Sequence, residues 1–273
     1  MTREHDWASW DGSERVDADR GKRVPALEIA GLHRTFGEVI VVNHVNLMAP
    51  RGSFFGLVGP NGAGKTTLLS TAVGLLRPDE GYSRVFGVDV WMQPLRAKQL
   101  MGVLPDGLAM PERLTGRELL TFLGQLRGLD PKVVAQRVEE LLRLMGLTDA
   151  ERTLIIDYST GMRKKIGLAT ALLHGPRLLV LDEPFEAVDP GSGATLKTAL
   201  KRFVASGGSV VLSSHVMALV EQLCDTVAVM ARGTVVAAGP LDEVRGGRTL
   251  EEAFVRLVGV KTGGEEGLSW LVS

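Results

Sequence analysis

The segment GPNGAGKTT, Gly59 to Thr67, constrains this chain more than any other. It fits G-x-x-x-x-G-K-[ST] and follows a short apolar run, SFFGLVG, that stops at glycine. After it, GKTTLLSTAVGLL carries helical spacing. A strand that hands over to a helix through such a loop predicts a phosphate-binding turn. Gly59, Gly62 and Gly64 let the backbone fold tightly, so several N–H groups can face one phosphate group. Pro60, Asn61 and Ala63 complete the loop, and the helix N-terminus adds partial positive charge. Lys65 is placed to meet the β- and γ-phosphates, and Thr66, with Thr67 behind it, offers a hydroxyl to Mg²⁺.

RLLVLDE supplies a second half. An apolar strand carries Asp182 and Glu183 to its C-terminal end, where ligands of open α/β sheets bind. Asp182 can hold Mg²⁺ through water, and Glu183 can polarise an attacking water as general base. Two acids ending a strand are more often a solvated turn; the phosphate loop upstream tips the reading to catalysis. Together the two motifs predict hydrolysis of ATP or GTP.

The remaining pattern is an interrupted α/β alternation. LEIAGL, VIVVNHVNLMA, YSRVFG and MGVLP read as strands. A helical block follows. Thr115 and Glu118 form a capping box, ahead of a face shared by Leu119, Leu120, Leu123 and Leu126. Asp130 and Pro131 start a second helix, with Val134, Val138, Leu141, Leu142 and Met145 as its stripe. YSTGMRKK opens a third, continued by IGLATALL: a small hydroxyl residue, a glycine and a basic run at a helix start suited to an anion. Arg163, Lys164 and Lys165 read equally well as an ordinary solvated face. From Leu178 the α/β rhythm resumes through SVVLSS, VMALVEQL, DTVAVM and TVVAAG, and LEEAFVRLVG predicts a last amphipathic helix. An α/β core is thus interrupted by a helical insert of subdomain size.

Composition narrows the function classes. A net charge of −1 gives no global pull toward nucleic acid or acidic lipid. The single cysteine, Cys224, excludes an internal disulfide framework and a cysteine metal cluster, and it fits a reducing cytosol. No apolar run approaches the roughly 18 residues of a membrane span. The first 24 residues are polar and aperiodic, with charges of both signs; they read as a mobile tail, not a signal peptide. Trp7 and Trp10 in that tail have no specified partner. A membrane role is therefore expected to go through a partner protein.

With these motifs in hand, the order GPNGAGKTT, LPDG, YSTGM, LLVLDEP, AVDP and SSH resembles the nucleotide-binding subunit of ATP-binding-cassette transporters, over roughly Leu27 to Gly239. The resemblance implies a P-loop NTPase core, an α/β mixed sheet with helices, carrying an N-terminal antiparallel β subdomain and an inserted α-helical subdomain. It divides the chain into a tail (1–24), an ATP-binding domain (25–240) and a C-terminal helical extension (241–273). Within the domain the core is 25–105 and 176–240, and the helical insert is about 106–175. The implied cofactors are ATP and Mg²⁺. Ser159, Thr160, Gly161 and Met162 match the signature segment, which in the family closes over ATP held by another subunit, so a head-to-tail dimer of two such subunits is expected. Phe36 matches the aromatic that stacks on adenine, His215 the switch histidine, and Asp189 the loop that crosses between subunits, though Asp189 can also cap the helix begun by Pro190. His33, His44 and His174 have no such context and read as structural. An integral membrane permease is the second implied partner, with the chain peripheral on the cytoplasmic face. A permease helix is expected to dock near Asp106 and Leu108 to Pro111, residues that also suit packing between core and insert.

The sequence departs from the family pattern in places. Asp106 stands where glutamine is frequent, Thr160 where glycine is, and AVD replaces leucine before the aspartate. Asp106 is still expected to serve the metal or the lytic water, with turn capping as its alternative. LTGRE, YSTGMRKK and LDEPFEAVDP most resemble cassettes of two-component exporters, whose membrane subunit is a separate polypeptide. Two other classes compete. A cassette acting on nucleic acid or ribosomes shares the core motifs, but no long coiled coil, second cassette or basic stripe appears. A silent binding module is disfavoured by retention of Lys65, Glu183 and His215.

Overall fold

The computed structural model describes residues 24–259. The expectations for the tail, Trp7 and Trp10 included, and for the chain beyond Gly259 lie outside the described residues. Two sheets organise the rest. The first is antiparallel and contains β1 (Leu27–Phe36), β2 (Val39–Ala49), β4 (Glu80–Val85) and β5 (Val88–Asp89), in the order β2-β1-β4-β5. The second contains β3 (Phe54–Val58), β6 (Met101–Leu104), β7 (Leu178–Leu181), β8 (Ser209–Ser214), β9 (Thr226–Ala231) and β10 (Thr234–Pro240). Its order is β10-β9-β3-β8-β7-β6, parallel throughout except for the antiparallel β10 edge.

The central strands are apolar without interruption because both faces of the second sheet are covered. Alternate residues go to different cores, as a period of two demands. Phe54 and Val58 of β3, Leu179 and Leu181 of β7, and Val227 and Val229 of β9 face one cluster. Phe55 and Leu57, Leu178 and Val180, and Ala228 and Met230 face the other. The first cluster is closed by α3 (Gly116–Leu126), α4 (Pro131–Leu144), α5 (Thr160–Leu172), α6 (Pro190–Ala205), α7 (Met217–Leu223) and α9 (Leu250–Val258). The second is closed by the antiparallel sheet with α1 (Lys65–Ala72) and α2 (Pro94–Leu100). The short α8 (Leu241–Arg245) precedes α9, whose Leu250 and Phe254 join the main core.

The helical block forms where the caps and stripes predict it. Thr115 Oγ1 accepts from the Glu118 amide at 3.2 Å while Glu118 Oε2 accepts from the Thr115 amide at 2.8 Å. Asp130 caps α4 through the Lys132 amide at 2.8 Å. The whole α4 stripe, with Met145 just past the helix, is buried. Two details differ from the sequence pattern. Leu126, in the last turn of α3, is 71% exposed, so it leaves the face shared by Leu119 and Leu120. Helix α1 ends at Ala72, because Gly74 takes φ 82° and the Leu75 and Leu76 amides turn back to the Ser70 carbonyl. After β6, Leu108 and Met110 pack into the main core, and a Cβ added at Gly167 of α5 would lie 3.2 Å from Met110 Cε. The apolar side chains of that segment therefore serve the packing of insert on core, leaving Asp106, Ala109 and Pro111 exposed.

Candidate nucleotide site

The parallel strands bring their C-terminal ends to one edge, and the predicted site residues follow those ends: Gly59 after β3, Asp106 after β6, Asp182 and Glu183 after β7, His215 after β8. At the phosphate loop, Gly62 and Gly64 have φ of 79° and 101°, which L side chains rarely adopt. Space is equally limiting. A Cβ at Gly64 would sit 2.5 Å from the Val41 carbonyl oxygen of β2, and one at Gly59 would sit 2.2 Å from that of Met230. The loop is wedged between β9 and the antiparallel sheet, and only glycine fits. Gly64 provides no side-chain cap for α1, so the first amides of that helix have no side-chain acceptor. Pro60, Asn61, Gly62 and Thr66 are exposed, Ala63 is buried and Thr67 half-buried.

Lys65 is 5% exposed. Its Nζ donates to the carbonyl oxygens of Gly59 at 2.8 Å and Pro60 at 3.3 Å, and lies 3.4 Å from Glu183 Oε1. On the other side, His215 Nδ1 lies 3.1 Å from Glu183 Oε2, at ion-pair distance but without hydrogen-bond alignment. Glu183 itself is buried, and its backbone has φ 43°. Ser213 on β8 ties the Asp182 carboxylate to the Glu183 backbone: its hydroxyl accepts from the Glu183 amide at 2.9 Å and donates to Asp182 Oδ1. Asp182 Oδ2 is buried with no hydrogen-bond partner. Among the described residues no group of three or more His, Cys, Asp and Glu side chains could hold a metal alone. Mg²⁺ is usually bound by one or two carboxylates together with substrate phosphates. The orphaned Asp182 Oδ2 is the kind of hard oxygen it requires.

The other predicted residues lie around this centre. Phe36 ends β1 and is 47% exposed. The Arg34 guanidinium covers its ring at 5.0 Å from the centroid, and Asp79 anchors Arg34 at 2.6 Å. Ser159 caps α5 through the Met162 amide at 3.2 Å. Thr160, Gly161 and Met162 form the first turn of that helix. Among the described residues no hydrogen bond or ion pair joins this segment to the phosphate loop. It abuts α6 instead: a Cβ at Gly161 would meet Ser192 Oγ at 2.6 Å and Asp189 Oδ2 at 2.7 Å. Asp189 caps α6 through the Ser192 amide at 2.9 Å, and that amide and the Ser192 hydroxyl hold its carboxyl below the ordinary aspartate range. Asp106 accepts from Lys164 Nζ at 3.3 Å. Ser213 has no role of its own in the sequence pattern, and Lys164 there fits either an anion-facing helix start or a solvated face. For Ser213 a signal existed, since Ser213 and Ser214 are hydroxyls at the end of a strand buried on both faces.

A phosphate loop between β3 and α1, with paired carboxylates ending a neighbouring parallel strand, defines a P-loop nucleoside-triphosphate hydrolase. Comparison with known proteins narrows the class. The family described as ABC transporter matches residues 42–186. The linearmycin resistance ATP-binding protein LnrL of Bacillus subtilis is 34% identical over 213 residues, covering 78% of this chain and 68% of that protein. The Nod factor export ATP-binding protein I of a Rhizobium species is 33% identical over 214 residues, 78% of this chain and 70% of its own length. A solved structure of an ATP-binding subunit of an ABC transporter superposes with a TM-score of 0.79 at 29% identity, covering 85% of this chain and 99% of that one. The chain belongs to the ABC transporter family and is an ATPase of that family.

Proposed function

We propose that this chain powers export through a separate integral membrane permease by hydrolysing ATP between two copies of itself. The observation that carries this reading is the convergence of Lys65, Glu183 and His215 beside the phosphate loop. The loop from Gly59 to Thr67 takes the phosphates on its free amides, and Lys65 exchanges its carbonyl partners for β- and γ-phosphate oxygens. Adenine stacks on the face of Phe36 not covered by Arg34. Thr66 and Asp182 hold Mg²⁺, which neutralises charge on the phosphates when bound. Glu183 accepts a proton from the attacking water as its oxygen bonds to the γ-phosphorus and the bond to the ADP oxygen breaks. His215 orients that water and the γ-phosphate.

Ser159, Thr160, Gly161 and Met162 then act on the nucleotide of a second copy, with Asp189 at the crossing. The support is that one chain carries both the phosphate loop before α1 and the signature segment opening α5, with no hydrogen bond or ion pair between them among the described residues, so each copy offers two half-sites. The helical block of about 106–175 is the unit that presents the signature. The permease and the direction of transport are inferred from the family and from the name of the Nod factor export relative, and a position on the cytoplasmic face of the membrane is part of the same proposal. Asp106 serves the site through Lys164, and a raised Mg²⁺ requirement in Asp106→Asn would instead assign it to the metal. Glu183→Gln tests the whole reading. It removes the base, costing on the order of 10²- to 10⁴-fold in hydrolysis. It keeps ATP binding, and it should elute as a dimer with two bound ATP in the presence of Mg²⁺. A variant that binds ATP yet stays monomeric in size-exclusion chromatography contradicts the shared site.

A further inference from the structure

Lys164 sits in the second turn of α5, in a basic run that reads as solvated, yet its side chain is only 14% exposed. Its Nζ donates to the backbone carbonyl oxygen of Glu183 at 2.9 Å and lies 3.3 Å from Asp106 Oδ1. One ammonium therefore joins three separate parts of the fold: the helix that begins with the signature segment, the loop after β6, and the turn after β7. A lysine removed from water needs such acceptors, and its point-like charge with three donors suits two partners in different directions.

The partner that matters is the Glu183 carbonyl. Glu183 holds φ 43°, a left-handed conformation uncommon for a residue with a side chain. Such a conformation persists only where the surroundings over-determine it. Here the Glu183 amide donates to Ser213 Oγ at 2.9 Å, while its carbonyl accepts from Lys164 and from the Glu186 amide at 3.2 Å. The peptide units on both sides of its Cα are thereby fixed, and the carboxylate is left between Lys65 and His215.

We propose that Lys164 is a positioning residue for ATP hydrolysis. It clamps the Glu183 backbone in the left-handed conformation that aims the carboxylate, and it ties that clamp to the Asp106 loop. The assignment rests on Glu183 being the general base. Lys164 acts through Glu183, so the seating of the helical block on the core sets the alignment of the base. A lysine that merely tethers α5 would affect stability and leave turnover in the folded protein untouched.

The test uses the full chain with Mg²⁺ and ATP, comparing Lys164→Met, Lys164→Arg, Asp106→Asn and Glu183→Gln. Lys164→Met is expected to lower kcat on the order of 100-fold, the effect of misplacing a reacting group by about 1 Å. KM, and the affinity for a trinitrophenyl analogue of ATP, stay at the wild-type value. Lys164→Arg restores most of the rate. Asp106→Asn costs less, and adds nothing in the Lys164→Met background because the two act as one unit. Wild-type kcat in folded Lys164→Met overturns the proposal, as does a loss of rate that tracks a loss of nucleotide affinity. Should Lys164→Met not fold, Lys164→Gln carries the same comparison. Glu183→Gln separates the two readings: turnover at the wild-type rate there refutes the base assignment itself. An inactive Glu183→Gln beside a fully active Lys164→Met refutes only the role of Lys164.

Discussion

The imidazole of His174 sits just beyond α5, where Nε2–H donates to the Met101 carbonyl oxygen at 3.0 Å. Burial pushes its pKa down to about 4, and the Arg127 guanidinium adds to the shift. Backbone carbonyls of Met101 and Lys98 oppose the shift without cancelling it, and Nδ1 is buried without a hydrogen-bond partner. The unfolded chain binds a proton near the ordinary histidine value of about 6.5, the folded chain only near 4. Between those values the unfolded state holds more protons, so stability is full above pH 6.5 and falls as the pH drops toward 4. We expect this residue alone to contribute on the order of 2 kcal/mol to that loss, its partial exposure allowed for. Urea denaturation across that range should show a shallower decline for His174→Gln, and an unchanged decline would assign the acid sensitivity elsewhere. The structural reading of His174 followed from its lack of a motif, as the reading of Lys65, Asp182, Glu183 and His215 followed from having one. Lys164 was not legible, because its partner is a backbone oxygen on a distant turn and a basic run fits a solvated face as well.

Helices α3, α4, α5, α6 and α9 were legible because each combines a capping residue with a sustained apolar period. Elements α2, β5 and α8 were not, since two to seven residues carry too little periodicity to separate from a turn. The early end of α1 shows the converse: the helical spacing continues through GLL, but a left-handed Gly74 stops the helix. The cap of α3 is the place to test this level. Both halves of its box are formed, and the Thr115 amide holds the Glu118 carboxyl below the ordinary glutamate range. Thr115→Ala should cost about 1 kcal/mol, a melting temperature lower by roughly 2–4 °C for a chain of this size. Thr115→Ser should recover most of it. ATP affinity should not change, because α3 contributes nothing to the phosphate loop. A melting temperature equal to wild type in Thr115→Ala would mean that burial of Leu119 and Leu120 alone fixes the helix start.

At the scale of the molecule, the sequence shows fully buried strands but not their neighbours. β3 lies between β8 and β9, pairing Phe54 with Val210 and Phe55 with Thr226, and no local pattern announces partners so far along the chain. What the whole chain presents to a membrane follows from simpler quantities. The net charge is −1, and no described helix is long and apolar enough to cross a bilayer. Surface attraction to anionic lipid is worth about 1 kcal/mol for each lysine or arginine held near it, and a chain with balanced charge gathers little of that. The full chain should therefore remain unbound when floated with phosphatidylethanolamine–phosphatidylglycerol vesicles, and should float with membranes when its permease is co-expressed. The loop after β6 is where contact is expected, but through fewer residues than its apolar content suggests, because Leu108 and Met110 are turned into the core. Ala109 and Pro111 remain exposed. A cysteine at Ala109 should crosslink to the permease in those membranes, and one at Leu108 should crosslink far less. Strong flotation with protein-free vesicles would refute recruitment by a partner, and equal crosslinking at both positions would refute this orientation of the docking loop.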